Sequence, residues 1–508
     1  MRGKKTIINT IASLAEDAVA IICSFILPKL IMSYFGSEYN GLTTSITQFL
    51  ACAVLLRSGI GGATKAALYK PLAEKNKEEV DSILKATDNF MKKIGIILAL
   101  SIVIFAVIYP FIANTDFSWI FTFTLFVIIG INTFAESFFG ITYLILLQAD
   151  QKLYVSSIIK IICYILNVIL ASILIITGCS IHIVKLGSAF AFTLYPIVLN
   201  IYVRNKYKIN KNVKPNYNAI SQRWDAFWHQ VAIFVNNNTD VMVLTVFTNM
   251  LEVSVYSVYN LVIHGLKRFI TAFTNGIDAA FGNMIAKGEE KTLKDNLSVI
   301  EMIIYSVSTL LFSCAIILIL QFIQIYTKGI IDVNYLRPEF AYLLLTAQFF
   351  AAIRLPYQFV VQAAGKFKQT KKYAIVEAII NIVISVILVI KFGLIGVAVG
   401  TLIAVLYKTF TFSNYMSENI VYRPKLETFK KCLISIGEFF IIFGIVKLIN
   451  LPIKVNYLSW IINAIITAFV SIVVIFGGIM LFYRTDFDNL KKKIKYLIKS
   501  RNKSVKQV

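Results

Sequence analysis

Long apolar runs follow one another along almost the whole chain, and short polar stretches, mostly basic, separate them. A helix needs about 20 mostly apolar residues to cross a hydrocarbon core of about 30 Å, so each run predicts a membrane-spanning helix. About fourteen spans are expected, the second centred near residue 55, the seventh near 236 and the eighth near 267. The first run follows Met-Arg-Gly-Lys-Lys and continues to about Tyr34 with no small-residue cleavage site behind a short apolar core. It therefore reads as a permanent span and not as a signal peptide.

The spans carry an internal period. Sliding the chain on itself by 214 positions, without a gap, matches Tyr143 with Tyr357, Gln148 with Gln362, Lys152 with Lys366 and Asn167 with Asn381. The same shift pairs Glu38 with Glu252 and Gly62 with Gly276, so one offset serves separated regions. It carries spans 1 to 6 onto spans 7 to 12 and leaves 13 and 14 as an addition. Six is even, so both halves enter the membrane from the same side and are parallel repeats. The expected fold class is an all-α integral membrane protein of about fourteen transmembrane helices, with two parallel six-helix repeats and two C-terminal helices. Residues 1–210 form an N-terminal lobe, 211–420 a C-terminal lobe, 421–484 the last two helices, and 485–508 a basic tail.

Composition agrees, since 58% of the residues are hydrophobic against roughly 45 to 50% in ordinary soluble domains. Charge adds orientation. The chain holds 50 Lys and Arg against 27 Asp and Glu, a net +23. With a cytoplasmic amino terminus most of these cations fall in inner loops such as "RNKYKINKNVKPNYNAISQR", "GKFKQTKK" and "YRPKLETFKK", which is the positive-inside bias and places both termini in the cytoplasm. Such loops read as topology signals and lipid-headgroup contacts, not as a nucleic-acid surface. In the tail, Phe487, Leu490, Ile494, Leu497 and Ile498 share one helical face opposite lysines, the pattern of an interfacial helix on anionic lipid. The six cysteines show no CxxC and no metal-ligand spacing, so neither a disulfide framework nor a metal site is expected, and no cofactor is implied.

Candidate chemistry lies in the polar residues at membrane depth, where an ionisable group is costly unless it meets water or a partner. In span 8, His264, Lys267, Arg268, Thr271, Asn275 and Asp278 form one helical stripe. Span 7 carries Asp225, His229, Asn236, Thr239 and Asp240; span 1 carries Asn9, Ser13, Glu16, Asp17 and Ser24; span 10 carries Arg354, Gln358 and Gln362. The repeat shift sets Arg268 on position 54, one turn from Arg57 in span 2, so each half supplies an arginine at nearly the same depth. Guanidinium groups hold phosphate bidentately. Arg57, Lys267, Arg268, Arg354, His264 and Asn275 are thus candidates for an anionic substrate in a central cavity. Glu16, Asp17, Asp240 and His229 are candidates for a coupling proton or sodium ion. The competing reading is that acids such as Glu136, Asp278 or Asp17 neutralise the cations and merely pin helices together.

The stretches "YFGSEYNGL", "GIGGATKAALYKPLAEKN", "NNTDVMVLTVF", "VYSVYNLVI" and "AAFGNMIAKGE" resemble bacterial polysaccharide biosynthesis membrane proteins. These are the lipid-linked oligosaccharide flippases of the multidrug/oligosaccharidyl-lipid/polysaccharide (MOP, MATE-like) exporter superfamily. The resemblance spans helices 1 to 12. It implies a two-lobed flippase of the bacterial cytoplasmic membrane that moves undecaprenyl-diphosphate-linked repeat units by alternating access, for capsule, O-antigen or exopolysaccharide assembly. Its implied partners are membrane lipids, H+ or Na+, and polymerase and chain-length proteins, with no nucleic acid. Relatives often carry an acid just before the "GIG" element, where this chain has Arg57 and Ser58, so either the charge pattern of the cavity is retuned for its substrate or Arg57 faces a different neighbour. The alternatives are a MATE-type multidrug or small-molecule exporter, a membrane-embedded polymerase or glycosyltransferase, and a scaffold for glycan synthesis. A cation exporter calls for mid-membrane acids, whereas here cations dominate; an enzyme calls for a sizeable outer loop, whereas the longest, near Lys328 to Pro338, is short.

Overall fold

The computed structural model describes residues 2–57, 60–210, 212–220, 234, 238–272, 274, 277–452 and 454–505. Among them the chain is helical throughout, with no strand. The helices are α1 Arg2–Phe35, α2 Ser37–Val54, α3 Ile60–Glu74, α4 Lys77–Ile112, α5 Trp119–Ala135, α6 Ile141–Ala149, α7 Leu153–Ile176, α8 Ile181–Tyr207 and α9 Asn238–Phe247. They continue as α10 Met250–Ala272, α11 Ile277–Ala286, α12 Glu290–Tyr326, α13 Pro338–Ile353, α14 Leu355–Ala363, α15 Phe367–Phe392, α16 Leu394–Asn419, α17 Leu426–Ile449, α18 Tyr457–Phe482 and α19 Arg484–Val505.

Eleven helical stretches among the described residues are long and apolar enough to cross a membrane. Expected spans 2 and 8 are not among them: α2, with 18 residues, and α10, with 23, are long enough but carry too many polar and charged side chains to read as apolar spans, and α2 ends in a tight 3-10 turn at Leu55–Arg57. Of expected span 7, only residue 234 and the segment from Asn238 onward are described.

The helices start where their sequences allow. At α4 the Asn76 side chain accepts from the Glu79 N–H at 3.2 Å, and Glu78 and Glu79 face the positive end of the helix dipole. At α18 the Asn456 side chain accepts from the Ser459 N–H at 2.7 Å. Along α4, Leu98, Ile102 and Ala106 are buried, yet Leu100, Ile104 and Phe111 on the other face are 60%, 55% and 77% exposed. A helix apolar all round, with one face against protein and the other open, is stable only where the open face meets lipid.

The chain divides into two compact units, Met1–Leu261 with Gly329–Val333, and Val262–Lys328 with Asn334–Val508. In the first, α1 packs on α7, α7 on α8, and α5 on α4 and α8, around Leu42, Ile46, Leu125 and Phe126. In the second, α15 and α16 form a close hairpin against α13, and α12 packs on α13, α17 and α18.

The repeat reappears as matched breaks. α5 passes through a π-helical turn, Glu136–Gly140, before α6 resumes at Ile141. α13 ends before Arg354, and α14 begins at Leu355, which is the counterpart of Ile141 under the 214 shift. A π-turn displaces carbonyls from their usual partners and is common at functional sites, so equivalent spans are interrupted at equivalent depths.

Candidate functional site: charged groups at the helix breaks

In the first unit the 3-10 turn that ends α2 brings Arg57 to the π-turn of α5. Its guanidinium donates to Glu136 Oε2 at 2.9 Å and to Ser137 Oγ at 2.9 Å, and its side chain is 12% exposed. A second pair lies between α1 and α7, with Lys160 Nζ 3.1 Å from Glu16 Oε1 and 5.6 Å from the centre of the Tyr195 ring on α8. The Tyr195 hydroxyl is in turn 2.9 Å from Ser156 Oγ. Among these four groups two cations meet two acids.

The second unit does not balance in the same way. Arg354, at the α13–α14 break, donates to Glu377 Oε1 at 2.8 Å, and Lys408 Nζ donates to Glu377 Oε2 at 2.5 Å. All three are buried, and together they hold two cations against one acid. Arg354 Nε has no hydrogen-bond partner among the described residues. On α10, Ile263 and Ile270 are buried, while His264 and Arg268 are exposed and Lys267 is half-buried. The packing thus uses the apolar side of α10 and leaves its cationic stripe outside the core. Charge at that depth is tolerated only against water or another charge.

The remaining candidates divide. Asp240 is buried and accepts from the Tyr256 hydroxyl at 3.0 Å. Asp17 is half-buried on α1. Asn9 serves the fold: its amide donates to the Gln151 carbonyl at 2.9 Å and accepts from the Tyr154 N–H at 3.0 Å, closing the α6–α7 turn. Asn275, His229, Asp225 and Asn236 lie outside the described residues. Arg57 pairs with Glu136, one of the acids that the competing reading named, whereas Arg354 pairs with Glu377, which that reading did not name.

The sequence reading passed over Glu377, Lys408 and Glu301. Glu377 and Lys408 are single charges in otherwise apolar spans, a signal of the kind used for span 8. Glu301, on α12, is fully buried and holds both Arg423, bidentately, and Lys431 Nζ at 2.6 Å. Burial disfavours charge on Arg423, and the Glu301 carboxylate more than offsets it, holding the guanidinium above its ordinary range.

These features define a multi-pass, all-helical membrane protein with charged groups at interrupted helices. No protein-family model matches the sequence, and no curated protein matches it. Among solved structures the chain is similar to the lipid II flippase MurJ in an inward closed conformation, with a TM-score of 0.73 and 17% identity over 94% of this chain and 99% of that one. It is also similar to a multidrug resistance MATE family transporter of the MOP superfamily in an inward-facing conformation (0.64, 14%, over 80% and 98%). A MOP superfamily transporter from Pyrococcus furiosus aligns with a TM-score of 0.55 and 12% identity over 81% and 96%. The fold is that of the MOP-superfamily transporters.

Proposed function

We propose that this chain is a flippase that carries an anionic lipid-linked oligosaccharide, an undecaprenyl-diphosphate-linked repeat unit, across the bacterial cytoplasmic membrane. Residues 1–210 and 211–420 act as two lobes that rock about the substrate, and no covalent bond is made or broken. The observation that carries this reading is the polar stripe His264, Lys267 and Arg268, two of them cations, which α10 leaves outside its packed side. A diphosphate is a ligand that such a stripe suits, because charge-assisted bonds from guanidinium and ammonium are strongest away from bulk water. Fold likeness to a lipid II flippase supports a lipid-linked cargo. Arg57 and Arg354 adjoin the path in this reading, each held in place by an acid. Glu16, Asp17 and Asp240 remain the candidates for a coupling H+ or Na+ in the substrate path.

The test is glycan export in cells that depend on this protein. Lys267→Ala with Arg268→Ala is expected to abolish surface polysaccharide while the protein stays inserted at normal abundance. Arg57→Ala is made together with Glu136→Gln, so that no acid is stranded, and is expected to lower export as well. Normal surface polysaccharide in the Lys267/Arg268 variant overturns the assignment. Loss of drug resistance with intact glycan would point instead to a multidrug exporter.

A further inference from the structure

Spans 9, 13 and 14, here α12, α17 and α18, turn polar faces toward one another inside the second unit. On α12, Thr309, Ser313 and Gln321 lie on one line of four-residue spacing, interrupted only by Ile317. On α18, Asn463, Thr467 and Ser471 recur every fourth residue. All six are buried. The two helices run antiparallel, and their register is pinned at two levels: the Asn463 amide donates to Gln321 Oε1 at 3.1 Å, and Cys314 Sγ lies 3.8 Å from Ser471 Oγ.

Between and beyond these pins the polar atoms are left over. The hydroxyls of Thr309, Ser313 and Thr467 and the Asn463 Oδ1 are buried and have no hydrogen-bond partner among the described residues. One orphan hydroxyl is a packing accident. Three hydroxyls and an amide oxygen on facing stripes of two helices are a line of missing partners, and buried polar groups without protein partners are ordinarily served by ordered water.

The line leads to a carboxyl. Glu438 lies halfway along α17, is 7% exposed, and receives no hydrogen bond or ion pair from any described residue. It points at Gly478 of α18, where a Cβ would come within 2.0 Å of Glu438 Oε1, so the glycine is the notch that admits the carboxyl. The titratable group shown beside Glu438 is Tyr483, just past α18, whose buried hydroxyl has no hydrogen-bond partner among the described residues; the helices around it also carry Cys314, Tyr305 and Glu301 on α12 and Lys431 and Cys432 on α17 itself. Arg423, before α17, and Asp486, on α19, complete the set. Lys431 and Arg423 are already engaged by Glu301, so neither is placed to neutralise Glu438.

We propose that α12, α17 and α18 enclose a file of water that delivers protons to Glu438, making this carboxyl a proton-binding site separate from the substrate path. A hydronium in the file gives its proton to a Glu438 carboxylate oxygen and leaves as water; the reverse step returns the carboxylate. The proposal goes beyond the flippase reading and does not depend on it, because proton binding is measured without any transported lipid.

The experiment is infrared difference spectroscopy on the full chain in liposomes, between acidic and alkaline buffer. Wild type is expected to show a protonated-carboxyl band that titrates, shifts in heavy water and disappears in Glu438→Gln. In Ser313→Ala with Thr467→Val the band is expected to persist, with deuterium exchange slowed at least tenfold. A spectrum with no Glu438-dependent titrating band overturns the site. A band whose exchange is unchanged in the seam variant overturns the water file, leaving dry small-residue packing between the helices. Should Glu438→Gln not assemble, Glu438→Asp supplies the assignment: a shifted band supports the site and an unshifted one overturns it.

Discussion

A buried carboxylate shared by two cations behaves differently from a simple ion pair. Glu377 is the acid that both Arg354 and Lys408 share in the protein interior, so its removal takes a partner from two charges at once. Breaking a buried pair costs about 3–5 kcal/mol, and Glu377→Gln is expected to lose at least that much. Lys408→Met leaves the Arg354–Glu377 pair intact and is expected to cost much less. Thermal unfolding of both variants in detergent reads the order, and a larger loss for Lys408→Met would show that the carboxylate is not the hub. Both residues stand alone in apolar spans, so their importance was legible in the sequence, but their partnership was not. They lie 31 positions apart on different helices, and no local pattern connects them. The same holds for Arg57 and Glu136, whose pairing depends on a 3-10 turn and a π-turn meeting.

At the level of elements, hydropathy locates helices well and their interruptions poorly. The breaks at Arg57 and Arg354 sit where charge enters an apolar run, yet the run continues on both sides and periodicity registers no fault. Close approach is equally hidden. Gly41 on α2 lies so near the start of α10 that a Cβ there would come within 1.8 Å of the Met250 carbonyl oxygen. The neighbour is backbone and cannot swing aside, so Gly41→Ala must push the helices apart, at about 1–3 kcal/mol for an overpacked contact. A lowered unfolding temperature checks this; an unchanged one would mean that α2 and α10 are not in contact. The 214-residue repeat, by contrast, was plain in the sequence, because equivalent helices keep equivalent side chains even where their partners differ.

For the molecule as a whole, the first unit joins helices of both repeats through a buried polar seam. The Asn40 amide donates to Ser254 Oγ at 2.8 Å and to Ser257 Oγ at 2.9 Å, and Ser254 is the repeat counterpart of Asn40 itself. Ser45 Oγ and Thr245 Oγ1 are 2.6 Å apart, and the Tyr109 hydroxyl donates to Ser45 at 2.7 Å. Hydrogen bonds of this kind contribute only about 0.6 kcal/mol each within a membrane, weak enough to be broken and remade in a transport cycle. On the flippase reading proposed above, Ser45→Cys with Thr245→Cys is expected to form a disulfide on mild oxidation and to stop glycan export until a reductant is added. Export at the wild-type rate with the bond fully formed would show that this seam stays closed throughout.

Apolar runs, basic flanks and one fixed offset determined that this chain is an all-helical membrane protein built on a repeat, because insertion into lipid responds to composition and charge along a line. Which acid holds which cation, where helices break, and which polar faces meet were decided by tertiary structure alone. Those outcomes depend on side chains far apart in sequence arriving within about 3 Å of one another, and no order of residues along one helix states that distance.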